Sequence, residues 1–413
     1  MAALRRINQE DLRNHNLSVV IDTLLQSTVP MSRAELAKAT GLTKATMSLL
    51  GSMLLEGRVV TEGDPTMQSN YGRPSTPLAI AAGTWAGIGL QINTDGYGYI
   101  VLDLTGRVIA QEWEPSSPIG CSPEEIFDRL DALVMPTERE LANLGYRVVG
   151  AGLALPGLVT DDQRLLSAPN LDWGMVDLQE FDVVTRLDAV AANEANMAAL
   201  AQIPGYAACR GDGESPIDAG GSFLYVSTDV GIGGALVRDG RVVTGDHGFG
   251  GEIGHLSVSM DGPKCRCGRY GCLEAYAGRR SMVEAAGVAT GADAARSGAA
   301  IELYERWRRG DEKAVETIER AIKALGSAIS STINLMDAQT VILGGFWQQF
   351  GTDLTDRLTR DVAGQVLAGH ELAMQVVQPP VSERPALRGA AEVGLRRFID
   401  NPLRYLDEGE AVK

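Results

Sequence analysis

The chain has 413 residues, 45% of them hydrophobic, which is enough for two or three domains with real cores. No apolar run approaches the ~18–20 residues of a membrane span, and the charged start MAALRRINQEDLRNHNL does not resemble a signal peptide, so a cytoplasmic protein with no membrane partner is expected. The net charge of −16 argues against attraction of the whole molecule to nucleic acid, but residues 1–85 hold eight Lys/Arg against seven Asp/Glu, a net of +1 that leaves −17 on the remainder.

That neutral N-terminal segment reads as helices first. Leu17, Val20, Ile21, Leu24 and Leu25 recur at helical spacing, and Pro30 closes the run. Ser32 and Glu35 form a capping box that opens a second helix through Ala39. Gly41 supplies a tight turn, and Thr43 caps a third helix with a core face of Met47, Leu50 and Leu54. Helix, four-residue turn and helix make a helix-turn-helix. Thr43, Lys44, Thr46 and Ser48 open the third helix with small, polar or basic side chains suited to base edges and phosphates in a major groove. A strand over 57–61, a polar loop over 62–73 and a second strand over 78–81 complete a wing. The loop carries Gly72-Arg73-Pro74, an extended arginine suited to a narrow minor groove. The same pattern suits a small three-helix domain that docks a protein, with Arg73 merely solvated.

From Trp85 strands and helices alternate. GIGLQI, GYIVLDL and RVIAQEWE (87–114) read as a three-strand meander turning at Leu104–Gly106. A helix over 123–144 and a strand over 148–153 follow. A long helix over 311–336 carries Ile318, Ile322, Leu325, Ile329 and Ile333 on one face.

Residues 255–272 read HLSVSMDGPKCRCGRYGC. His255, Cys265, Cys267 and Cys272 are the ligand set of a closed tetrahedral zinc site, and the glycines at 262, 268 and 271 let the loop fold back on itself. The alternative is a buried histidine beside idle thiols. In a reducing compartment Cys121 and Cys209 are expected to be packing residues. Glu252 and Glu274 flank the loop, so a metal that pins it also aims two carboxylates.

GDHGFGGEIGH (245–255) followed by CRCGRYGCLEAYAG (265–278) resembles the signature of the ROK family of sugar kinases, open reading frames and sugar-responsive repressors. LPGLVT (155–160), APNLDW (168–173), NEANMAAL (193–200) and INLMDAQTVILGG (333–345) fit it too, so the resemblance spans roughly residues 85–400. It implies an α/β chain: a winged helix-turn-helix over 1–84, then a two-lobed actin-like (ribonuclease-H-like) ATPase-type body. The lobes are expected at 85–195 and 196–400, leaving open a return of the C-terminal helix to the first lobe. The NEAN sequence resembles the xylose-repressor branch, which points to a pentose or a glucose-like ligand.

The resemblance also implies roles. Asn193, Glu194, Glu252, His255 and Glu274 stand where the family contacts hydroxyls or metal, with Asn170 and Trp173 as further sugar contacts. The phosphate loops, by contrast, are altered. Gln91, Asn93 and Asp95 stand where a kinase has its DxGxT turn, and Asp229 opens the loop that a kinase writes GTGIGG. Glu194 replaces the aspartate that serves as general base in NDAN, and one extra methylene displaces that carboxylate. Only Gly344-Gly345 near the nucleotide pocket is retained. The reading is therefore a non-enzymatic, cytoplasmic and nucleoid-associated repressor. Its expected partners are operator DNA, a sugar effector, structural Zn2+ and further copies of itself, as a homodimer or dimer of dimers. An active sugar kinase with a DNA-binding appendage is the rival, and a pure interaction protein a third.

Overall fold

The computed structural model describes residues 8–27, 29–63, 76–206, 209, 217, 221–367, 369, 371 and 373–407. The chain opens with α1 (Gln9–Gln26), β1 (Met31–Ser32), α2 (Arg33–Thr40), α3 (Lys44–Glu56), β2 (Val60–Glu62) and β3 (Pro77–Ile80). Each helix starts on a side-chain cap. Asn8 with Asp11 and Ser32 with Glu35 form capping boxes, and the Thr43 hydroxyl accepts from the Thr46 N–H. Leu17, Val20, Ile21, Leu24 and Leu25 are the buried face of α1, whose polar first turns begin well before that stripe because Asn8 caps them. Gly41 makes the turn between α2 and α3 in the left-handed region, at φ 71°. The three strands form an antiparallel sheet in the order β1-β3-β2. The strand expected from residue 57 starts at Val60, since Gly57 N–H closes α3 on the Met53 carbonyl and Arg58 turns through φ 52°. Arg73, with all of residues 64–75, lies outside the described residues.

Two halves follow. The first contains β4 (Trp85–Asn93), β5 (Gly96–Asp103), β6 (Val108–Pro115), α4 (Pro123–Asn143) and β7 (Arg147–Leu155). A small sheet of β8 (Leu158–Val159), β9 (Arg164–Ser167) and β10 (Val176–Asp177) comes next, then α5 (Asp182–Arg186), β11 (Ala189–Asn193) and α6 (Glu194–Leu200). The second half contains β12 (Phe223–Thr228), β13 (Ile232–Arg238), β14 (Arg241–Val242), α7 (Glu274–Ala277), α8 (Arg279–Ala285) and α9 (Ser297–Arg308). It ends with α10 (Glu312–Met336), β15 (Thr340–Gly345), α11 (Gly351–Ala363) and β16 (Gln375–Val377). The sheets run β6-β5-β4-β7-β11 and β14-β13-β12-β15-β16. In both, an antiparallel meander is extended by two parallel strands, so one topology occurs twice. The inner strands are buried on both faces, which is why VVGAGLAL and TVILGG read as unbroken apolar runs.

The last helices, α12 (Pro385–Asp400) and α13 (Pro402–Asp407), return to the first sheet and the N-terminal unit. A side chain at Gly87, Gly89 or Gly152 would overlap the carbonyl oxygens of Ala391, Leu387 and Ala390, so the strand glycines bring α12 directly onto β4 and β7. Leu17, Leu36, Leu50, Val59, Trp85, Leu395, Phe398 and Leu403 share one apolar core. Trp85 stacks on Phe398 at 4.5 Å and donates its indole N–H to the Gly57 carbonyl. Among the described residues no helix is long and apolar enough to cross a membrane.

Candidate effector pocket and metal centre

A cavity of about 380 Å³ opens between the two halves. Asn170, Asn193, Glu194, Glu252, His255 and Glu274 all line it, together with Gly231, Gly233 and Arg266. Asn193 ends β11 and caps α6: its side-chain oxygen accepts from Ala195 N–H, and its amide donates to the Gly157 carbonyl at 2.8 Å. That leaves Asn193 one free N–H for a ligand. Glu274 begins α7 and accepts from Ile232 N–H at 3.2 Å, an approach that a side chain at Gly231 would block. Trp173 is elsewhere. It is buried in the first half against Phe127, its indole N–H is bonded to the Cys121 carbonyl, and it is absent from the cavity wall. The expected packing of Trp173 on a sugar face is therefore corrected.

Burial, then the neighbouring Asp229 carboxylate, push the Glu194 carboxyl up to about 8, while Gln91 donates to it at 3.3 Å. At neutral pH Glu194 is thus largely protonated, a donor as well as an acceptor. Burial likewise raises Glu252. Below the cavity Arg279, with only 6% of its side chain exposed, reaches Asp95 of the first half and Asp229 of the second, both at 3.2 Å. Those are the two acids that the resemblance places at phosphate-loop positions. One guanidinium joins them across the cleft. Nothing in the sequence pointed to Arg279, which lies 184 residues from Asp95.

The four expected metal ligands converge. His255 Nδ1 and the Sγ atoms of Cys265, Cys267 and Cys272 lie within 4.8 Å of one another. Cys265 Sγ is 3.8 Å from His255 Nδ1, and Cys267 Sγ is 3.7 Å from Cys272 Sγ. Thiolates about 2.3 Å from a tetrahedral zinc would be separated by about 3.8 Å, so the set fits that ion. A turn closed by Gly268 N–H to the Cys265 carbonyl presents the CxC pair, and Cys272 pairs with Ser257. With Nδ1 facing the sulfurs, Nε2 faces Glu252, 4.0 Å away. His255 is therefore placed between thiols and cavity, consistent with both expected roles.

On the N-terminal unit Thr43, Lys44 and Ser48 are exposed at the start of α3. Thr43 and Thr46 share a hydroxyl contact at 2.9 Å within the cap, so Thr46 is turned inward and less available than expected. Leu49, 55% exposed on the same face, was not anticipated.

Residues 88–396 match the ROK family, and the chain belongs to it. The xylose repressor of Bacillus subtilis (strain 168) is 23% identical over 394 residues, covering 95% of this chain and 98% of that one. The N-acetylmannosamine kinase of Escherichia coli O9:H4 (strain HS) is 33% identical over 236 residues, 56% of this chain and 73% of the kinase. A solved ROK family transcriptional regulator, homologous to the E. coli MLC protein, superposes with a TM-score of 0.73 at 23% identity, over 96% of this chain and 99% of that one. The kinase-type fold of the family, with its mixed sheets, is thereby established, and full-length relatives are named as repressors.

Proposed function

We propose that the chain is a sugar-responsive transcriptional repressor: residues 1–84 form a winged helix-turn-helix that binds operator DNA, and the cleft between the two halves binds a sugar. The observation that carries this is the contrast inside the cleft. Six hydroxyl-binding candidates converge on one cavity, whereas the acids of both phosphate loops converge on Arg279. Carboxylates and amides suit a polyol because each bonds two hydroxyls. An internal ion pair where a nucleotide phosphate would lie leaves no cradle for phosphoryl transfer, which is almost entirely positioning and charge stabilisation.

His255, Cys265, Cys267 and Cys272 would hold zinc with no open position, so the ion pins the loop and does no chemistry. It fixes His255, whose outer nitrogen meets Glu252, and the segment that leads into Glu274. On DNA, Lys44 and Ser48 would meet phosphates or base edges, Leu49 would offer apolar contact to a thymine methyl, and Arg73 would enter the minor groove. Inverted half-sites require two chains, so a homodimer or a dimer of dimers is the working assembly.

The test is a thermal-shift screen of neutral sugars, each with and without ATP and magnesium. A cognate sugar at about 100 times its Kd should stabilise the chain by about 2.7 kcal/mol, and ATP–magnesium should add nothing. Turnover in the range of about 1–100 s⁻¹ usual for kinases would make the chain an enzyme instead.

A further inference from the structure

Asn193 and Glu194 reach the cavity from the start of α6, and the chain just beyond the other end of that helix meets the N-terminal unit. Past Leu200 the backbone keeps turning. Ala201, Gln202 and Ile203 donate to the carbonyls of Met197, Ala199 and Leu200, and Tyr206 N–H returns to the Ile203 carbonyl. Gln202 is fully buried and anchors this end: its amide donates to the Val381 carbonyl and accepts from Val381 N–H, both at 2.9 Å, just ahead of α12. Beyond the anchor the turn meets α1 once directly and once through an arginine. Gly205, at φ 85°, sets its backbone against Gln26, the last residue of α1, and a side chain there would fall 2.5 Å from the Gln26 Cγ. The ring of Tyr206 faces the Arg396 guanidinium at 4.1 Å from its centroid, and Arg396 donates to Asp22 of α1 at 2.5 Å. A planar guanidinium can stack on an aromatic face while its edge binds a carboxylate, so one side chain serves both partners. Glu392 and Asp400, also on α12, act on the same cation. Of these four groups only Tyr206 continues from the pocket helix, and only Asp22 belongs to the N-terminal unit. Arg396 has 18% of its side chain exposed, and a cation held over a ring gains more as it loses water.

We propose that the turn over 203–206 carries the state of the cleft to the N-terminal unit, with Tyr206 and Arg396 as its positioning residues. This inference rests on the reading of the chain as a sugar-responsive repressor. A shift at the Asn193–Glu194 corner pivots α6 on the Gln202 anchor and slides the Tyr206 ring across the guanidinium, which changes the hold of Arg396 on Asp22. Events at the cleft and on DNA are then linked through one cation, and each must change the other's affinity by the same factor.

The experiment measures DNA affinity of the full chain, on DNA selected from a random library by wild type, with xylose and glucose as probes. The variants are Tyr206→Leu, Arg396→Met, Arg396→Lys and, as a control, Arg397→Met, since Arg397 is the next residue on α12 and pairs with Asp188 of the body. A sugar that acts on wild type should change DNA affinity by roughly 5- to 150-fold. Tyr206→Leu and Arg396→Met should bring that factor below about twofold while binding the sugar as wild type does in the absence of DNA. Arg396→Lys should recover part of the factor, because an ammonium still pairs with Asp22, and Arg397→Met should keep all of it. A full factor in Tyr206→Leu, or the same loss in Arg397→Met as in Arg396→Met, overturns the proposal. Hydrogen exchange tests the relay without a ligand. Asn193→Ala, which removes the cap at the cleft end of α6, should speed exchange of the α1 amides at 22–26 at least about threefold relative to those of α10, and should not do so in a Tyr206→Leu background. That result with no response to either sugar would keep the relay and sink the sugar reading. Equal effects in both backgrounds, or none in either, would overturn the relay itself.

Discussion

Glu194 and Arg279 face the same two acids, Asp95 and Asp229, at the cleft. The Glu194 carboxyl, raised from 4.5 to about 8, is held neutral by the fold, so its contribution to stability is full below the unfolded value and is lost as pH rises through the folded one. Glu194→Gln should therefore gain stability relative to wild type as pH climbs from 5 to 8, read as the difference between urea midpoints at each pH; a difference independent of pH would show that the carboxyl titrates normally. Arg279→Met leaves Asp95, Asp229 and Glu194 facing one another. The loss should be at most the ~1.5–3 kcal/mol of a charge-assisted hydrogen bond, since Asp229 is half exposed, and it should shrink as falling pH protonates Glu194 and Asp229. Equal loss at pH 5 and pH 8 would mean that Arg279 acts only by packing. The acids themselves were legible as an anomaly of the phosphate loops. Their partner was not, because no local pattern announces a contact across the cleft. Trp173 misled for a related reason: its polar surroundings in APNLDW suggest a ligand, while the Phe127 and Phe181 rings that bury this corner come from other elements.

At the scale of elements, legibility follows sequence separation. The Ser32–Glu35 capping box, the meander of β4 to β6 and the long α10 depend on neighbours within a few residues, and they stand where the sequence places them apart from shifts of a few residues at their ends, whereas the Asn8 cap that starts α1 well before Leu17 was not anticipated. The convergence of His255, Cys265, Cys267 and Cys272 was legible because all four fall in one short segment. Substituting Cys267 by serine should cost that loop its ion: elemental analysis of protein purified without chelator should fall from one zinc per chain in wild type to well under one, with a lower Tm. Wild-type protein without zinc would refute the metal reading. The role of α12 was the least visible. Its contacts join β4, β7, α6 and α1, elements spread over most of the chain. Gly389 lies against the Met197 carbonyl of α6, one turn beyond the Asn193–Glu194 corner of the pocket.

Over the whole molecule, α12 links the pocket to the N-terminal unit. At its far end Arg396 pairs with Asp22 of α1 at 2.5 Å, and Asn14 bonds both the Asp400 carbonyl and Leu403 N–H. The N-terminal helices, Trp85 and the C-terminal helices bury a common core, so the N-terminal unit is seated on the body and does not hang from a linker. A ligand that draws the halves together would move α6 against α12 and hence tilt α1. In a dimer bound to inverted half-sites, a small tilt changes the spacing of two recognition helices that must match a groove repeat of about 10 bp. The coupling can be no larger than the ligand's differential affinity for the two arrangements, typically about 1–3 kcal/mol, or roughly 5- to 150-fold in DNA affinity. The direct measurement is the affinity of the full chain for DNA selected from a random library, with and without its sugar, in wild type and in Glu252→Ala. Wild type should change its DNA affinity by a factor in that range, while Glu252→Ala should bind the same DNA as tightly as sugar-free wild type and ignore the sugar. A Glu252→Ala chain that still responds like wild type would place the effector site outside this cleft.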